Sequence, residues 1–124
     1  MSNFKKNYSF EARQKGANGI LEQYPDRKPI YVCCEGGNID SKDTKFIVPD
    51  LLTIGQFHTI LRRRIKLSDS EALYSYVCQY EDQLLTQSIL PKASDSIGNL
   101  YANYHDKDGF LYLSVRKENT FGFK

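Results

Sequence analysis

An α+β fold of the β-grasp kind is predicted by three features of this 124-residue sequence. An amphipathic helical pattern comes first, a hairpin of two apolar strand patterns follows, and a capped helix separates that hairpin from two more strand patterns. Two strands in a hairpin, a crossing helix and two further strands make one four-stranded mixed sheet with a helix on one face. The first helix is then an N-terminal extension. No repeat, linker or low-complexity stretch interrupts this order, so the chain reads as a single domain. Its parts are a helical extension over 1–24, a core over 28–118 and a flexible tail over 119–124.

The first helix spans residues 10–23. Phe10, Ala17, Ile20, Leu21 and Tyr24 recur at helical spacing, and Ser9 stands where an N-cap belongs. Gly16 and Gly19 each weaken it by about 1 kcal/mol relative to Ala, so docking on the domain must supply stability. Pro25 ends it, because the residue before a proline is pushed out of the α region. Ile30, Val32 and Cys34 alternate with Tyr31 and Cys33 as a strand, Glu35 to Asp43 is a turn, and Lys45 to Val48 returns as the second strand. Thr53-Ile54-Gly55-Gln56 fits a capping box, with Ile54, Phe57, Leu61 and Ile65 as the apolar stripe behind it. Arg62, Arg63, Arg64 and Lys66 crowd the C-terminal end of that helix, where positive charge suits the dipole. Residues 73–77 form a third strand, Ser94 or Asp95 caps a short helix with Ile97, Leu100, Tyr101 and Tyr104 on one face, and residues 110–115 form the last strand.

Composition excludes several classes of function. Hydrophobic residues at 40% and charged residues at 26% are globular values, which exclude disorder and collagen-like structure. No apolar run reaches membrane-span length and the first residues carry no secretory pattern, so a membrane role needs an added anchor or a partner. The net charge of +2 is nearly neutral but uneven: residues 1–66 hold 12 Lys/Arg against 7 Asp/Glu, and residues 67–124 hold 5 against 8. That asymmetry favours an acidic partner on one face but is too weak for a dedicated nucleic-acid binder. Arg62 to Lys66 with the nine tyrosines leaves an RNA-binding module as the remote alternative. Cys33, Cys34 and Cys78 show no metal spacing and read as small strand residues in a reducing compartment. A cysteine enzyme using His58 or His105 has no local support.

Several strings, in order, resemble one known family. They are Phe10-Glu11, Tyr24-Pro25-Asp26-Arg27, Phe46-Ile47-Val48-Pro49, Thr53-Ile54-Gly55-Gln56-Phe57 and Arg62-Arg63-Arg64-Ile65, followed by Glu71-Ala72-Leu73, Leu100-Tyr101, Asp106 to Tyr112 and Thr120-Phe121-Gly122. Together they resemble the autophagy-related protein 8 family of ubiquitin-like modifiers, which includes GABARAP and the microtubule-associated light-chain-3 proteins. The match runs from Phe10 to Gly122.

The resemblance implies a modifier and not an enzyme. A cysteine protease would trim the chain after Gly122, removing Phe123 and Lys124. Activating and conjugating enzymes would then pass Gly122 to phosphatidylethanolamine. A glycine suits this, since an extended tail without a Cβ allows close approach in a narrow cleft. No cofactor or metal is implied beyond the covalent lipid. The expected location is cytoplasmic, then autophagosomal or related vesicle membrane once lipidated. The resemblance also implies docking of aromatic-x-x-aliphatic motifs from cargo receptors on the edge of the second strand. The aromatic pocket maps to Ile20, Pro29, Tyr31, Lys45, Ile47 and Phe110. The aliphatic pocket maps to Phe46, Val48, Pro49, Leu52, Phe57, Ile60 and Leu61, and Arg27 and Arg64 map to basic positions that meet acidic flanks. An unconjugated peptide-binding adaptor of the same fold is the alternative.

Four departures from the family carry expectations. Gly16 and Gly19 stand where the family usually has charged or helix-favouring residues, which should leave the N-terminal helix less firm. Tyr31 is bulkier than the usual aliphatic residue and should reshape the aromatic pocket. Asp43 replaces a commonly basic neighbour of Lys45. Gln79 to Gln87 looks like an insertion that lengthens a surface loop.

Overall fold

The computed structural model describes residues 3–34, 44–65 and 71–119. The turn expected from Glu35 to Asp43, Lys66, and the tail from Thr120 on, with Gly122 and Phe123, lie outside the described residues. The elements in order are α1 (Asn3–Asn7), α2 (Phe10–Gln23), β1 (Arg27–Cys34), β2 (Thr44–Pro49), α3 (Ile54–Arg64), β3 (Glu71–Glu81), β4 (Leu84–Ile89), α4 (Ile97–Tyr104) and β5 (Leu111–Asn119).

Local chemistry fixes the helix starts. Ser9 Oγ accepts from the Ala12 backbone N–H at 3.1 Å and opens α2. At α3 both halves of the capping box form, Gln56 N–H to Thr53 Oγ1 at 3.1 Å and Thr53 N–H to Gln56 Oε1 at 3.0 Å. The cap of α4 is Ser96, whose Oγ accepts from Asn99 N–H at 3.1 Å, and not Ser94 or Asp95. Asp95 is one residue too early, and its carboxylate instead accepts from Lys92 N–H at 2.8 Å in the preceding turn. Helix α1 has no sequence-level periodicity to announce it, since its five residues make little more than one turn.

The strands form one mixed sheet in the order β2-β1-β5-β3-β4. β1 runs antiparallel to β2 and parallel to β5, and β3 runs antiparallel to both β5 and β4. The sheet therefore has five strands, where the sequence led us to expect four. The difference lies in Gln79 to Gln87, which is not a surface loop. β3 continues to Glu81, turns through Asp82 and Gln83, and returns as β4. Pairing along β3 gives this stretch of backbone its hydrogen bonds. Asp82 takes φ 58°, a left-handed conformation that Asp tolerates better than most side chains.

Apolar side chains lie on both faces of the sheet. Ile30, Val32, Leu111, Leu113, Val77, Phe57, Leu61 and Leu100 belong to the core shared with α3 and α4. Phe4, Ala17, Tyr31, Cys33, Cys78, Phe110 and Tyr112 make a second, aromatic core under α1 and α2. The Asp106 to Phe110 loop holds those two helices down. Gly109 sits at φ +94°, and a Cβ there would lie 2.8 Å from the Ala17 Cβ, so only glycine lets α2 approach. Two ion pairs close the contact, Lys5 Nζ to Asp106 Oδ2 at 3.0 Å and Arg13 Nε to Asp108 Oδ2 at 2.8 Å.

Candidate functional site

Among the described residues β2 is the terminal strand of the sheet, paired with β1 on one side only. Such an edge offers unpaired backbone N–H and C=O groups to an added strand. Alternation along the strand sends successive side chains to opposite faces. Lys45 and Ile47, opposite Tyr31 and Pro29, share the face of α1 and α2. Phe46 and Val48, opposite Ile30 and Lys28, turn towards α3.

On the α3 side, Val48, Phe57 and Leu61 are buried and form the floor. Phe46, half-buried, stands edge-on to Phe57 with centroids 5.3 Å apart. Leu52 is half-buried, Pro49 is exposed and Ile60 is 45% exposed, so these residues keep apolar surface open beside the edge. The Arg64 guanidinium lies 5.2 Å from the Phe46 ring centre and brings positive charge to the same side. The structure thus brings together the positions to which the family's aliphatic pocket maps, with Phe57 and Leu61 as core supports beneath it.

On the other side, Ile47 is 40% exposed while Tyr31 and Phe110 are buried. Pro29 is buried and Ile20 half-buried. The Tyr31 ring stacks on Phe4 from α1, with centroids 4.6 Å apart and planes 15° apart. Arg27 is exposed, its guanidinium 5.7 Å from the Tyr24 ring at the entry to β1.

Sequence reasoning missed three residues that shape this region. Phe4 and Lys5 are buried although they sit at the chain's start in a polar stretch. Arg13 also has a buried side chain, bonded to Asp108, and it donates through Nη1 to the Tyr8 carbonyl at 2.7 Å. Their charge hid Lys5 and Arg13, since Lys and Arg are almost never fully buried unless paired, and a lone aromatic in a five-residue helix carries no period to mark Phe4. The available signal was Asp106-x-Asp108 in a tight turn facing a basic N-terminus.

Among the described residues no group of His, Cys, Asp and Glu could hold a metal ion, and no helix is long and apolar enough to cross a membrane. Cys33 and Cys78 are buried, Cys34 is half-buried, and His58 shares a hydrogen bond with Ser75 at 2.7 Å.

The sheet order, the crossing helix and the open edge define a ubiquitin-like β-grasp protein. A sequence profile for the family described as "Autophagy protein Atg8 ubiquitin like" matches residues 12–122. Autophagy-related protein 8e of Arabidopsis thaliana is 40% identical over 123 residues, covering 96% of this chain and 92% of its own. Autophagy-related protein 8 of Schizosaccharomyces pombe is 38% identical over 127 residues, with 98% and 94% covered. The crystal structure of Trypanosoma brucei ATG8 superposes with a TM-score of 0.76 at 35% identity, covering 98% of this chain and 99% of that one. This chain belongs to the Atg8 family of ubiquitin-like autophagy proteins.

Proposed function

We propose that this protein is a ubiquitin-like modifier of autophagy and not an enzyme. A cysteine protease trims it after Gly122, and activating and conjugating enzymes join that glycine to phosphatidylethanolamine. The lipidated protein then recruits cargo receptors that carry aromatic-x-x-aliphatic motifs. The observation that carries the docking half is the open edge of β2, flanked by Ile47 on one face and by Phe46, Leu52 and Ile60 on the other. A peptide strand added there gains main-chain hydrogen bonds, and its alternate side chains enter the two flanks.

Family membership supports the conjugation half. Each buried lipid methylene contributes about 0.8 kcal/mol, so a two-chain lipid anchors a chain whose described helices cannot span a membrane. The protein is cytoplasmic before lipidation and sits on autophagosomal or related vesicles after it.

Intact mass spectrometry of the protein from the membrane fraction of its own cells tests this reading. The expected species ends at Gly122 and carries phosphatidylethanolamine, and Gly122→Ala removes it. A membrane-bound chain still ending in Phe123-Lys124 would overturn the conjugation step and leave a motif-binding adaptor.

A further inference from the structure

One side of the β2 edge is already filled from within the chain. The Phe4 ring lies flat on Tyr31 at 4.6 Å and meets Phe110 edge-on, with centroids 5.0 Å apart and planes 77° apart. Lys45 Nζ stands 5.1 Å from the Phe4 ring centre. Tyr31 comes from β1, Phe110 from the loop before β5 and Lys45 from β2, so Phe4 joins three separate parts of the fold. Phe4 is 6% exposed. It belongs to the same aromatic core as Tyr31 and Phe110, against which Ile20 also packs.

We propose that Phe4 is a specificity-determining residue, the in-chain occupant of the subsite that takes a partner's aromatic side chain. This rests on the docking reading of the β2 edge given above. A flat ring between Tyr31 and Phe110 under a lysine has the surroundings that an incoming Trp or Phe would seek. The incoming ring therefore competes with Phe4 and enters only when α1 lifts. The flank beyond Phe46 has no such occupant among the described residues, so a partner's aliphatic residue meets an open surface.

The next residue sets how firmly Phe4 is seated. Lys5 is 3% exposed, is paired with Asp106, and has its Nζ 4.8 Å from the Tyr112 ring centre and 4.9 Å from that of Tyr80. Its carbonyl accepts from Arg13 Nη1 at 3.3 Å and from Gln83 Nε2 at 3.4 Å. Gln83 lies in the β3–β4 turn, so this hairpin helps hold α1 down. A five-residue helix has little stability of its own, and these contacts take its place. Because α1 is tethered to α2 through Tyr8 and Ser9, Phe4 competes at a high effective concentration.

The test measures binding of a Trp-x-x-Leu peptide, and of the same peptide with Trp replaced by Ala, to the full chain, to Phe4→Ala and to Lys5→Gln. N-acetyltryptophanamide is titrated separately while the ring signals of Tyr31 and Phe110 are followed by NMR. Phe4→Ala should tighten the Trp peptide by about tenfold, since occupancy by Phe4 lowers the competent fraction by that order. Its affinity for the Ala peptide should stay within about twofold, by the same reasoning. Lys5→Gln should shift the Trp peptide in the same direction, by releasing the ring without removing it. Equal or weaker binding of the Trp peptide by Phe4→Ala would overturn the proposal, making Phe4 a wall of the pocket, and leave the docking reading intact. If neither peptide binds any form, the docking reading fails. The free tryptophan amide still decides the occupant: shifts at Tyr31 and Phe110 in Phe4→Ala alone support it, and equal shifts in the unaltered chain overturn it.

Discussion

Arg13 Nε donates to Asp108 Oδ2 at 2.8 Å across 95 residues of sequence, with the two side chains 5% and 0% exposed. The same carboxylate accepts from the Tyr112 hydroxyl at 2.5 Å through Oδ2 and from the Phe110 N–H at 2.9 Å through Oδ1. Burial, and then the Asp108 hydrogen bond and charge, raise the Tyr112 hydroxyl well above its ordinary pKa. The phenol is therefore a fixed donor at any physiological pH. A network so fully used orients α2 on the loop before β5.

Removing one partner should leave the other charge buried and uncompensated. Asp108→Asn and Arg13→Met should each lower stability by about 3–5 kcal/mol. The double variant should cost less than the two single changes added together. Urea unfolding of the four proteins measures this, and a single change costing under about 1 kcal/mol would show that the pair is not what holds α2.

His58 gives the fold a weak acid sensitivity. Burial first, and the Arg62 charge second, push its pKa below the ordinary value of 6.5. The unfolded chain thus binds the proton more readily than the folded one. Stability is full above the ordinary value and falls as pH drops through it towards the lowered folded value. The melting temperature should fall between pH 7.5 and 5.5, and His58→Gln should flatten that part of the curve. An unchanged slope in the variant would assign the effect to other groups.

Gly16 and Gly19 stand in the middle of α2, and a Cβ at either would meet nothing within 4 Å. Ala at each position should raise stability by up to about 1 kcal/mol through helix propensity alone. Thermal unfolding of the two single variants and the double variant checks this. A loss at Gly19 would mean that α2 needs its backbone bare on that side.

Ile47 is 40% exposed on an edge strand, so Ile47→Asp should change stability by no more than about 0.5 kcal/mol. Binding of an aromatic-x-x-aliphatic peptide should nevertheless fall. Arg64→Glu should weaken acidic-flanked peptides more than neutral ones, because the guanidinium sits over Phe46 beside the β2 edge proposed for docking. A large drop in melting temperature for Ile47→Asp would place that side chain in the core.

Much of this fold is legible in the sequence where a local rule acts alone. Ser9 and Thr53 announce the starts of α2 and α3, and the spacing of Ile54, Phe57 and Leu61 shows which face of α3 is buried. The β3–β4 hairpin is not legible in that way. Leu84 to Ser88 are all exposed, so no buried alternation marks β4, and the turn uses Asp82-Gln83 with no glycine. The β2 edge follows from the order of elements, but Phe4 against it does not. A single aromatic residue in a five-residue helix carries no period, and its partners Tyr31 and Phe110 lie far along the chain. Arg13 and Asp108 look solvated for the same reason.

The loop that grips α1 and α2 runs directly into β5, and the strand's far end at Asn119 leads to the conjugation glycine proposed at Gly122. β5 lies in the middle of the sheet, between β1 and β3. The N-terminal helices are thus clasped at one end of a central strand, and Asn119 stands at its other end. A mechanical load applied at the Asn119 end of β5 passes first along that strand in shear against two neighbours, and the Asp106 to Gly109 clasp is one of the routes by which it reaches the N-terminal helices.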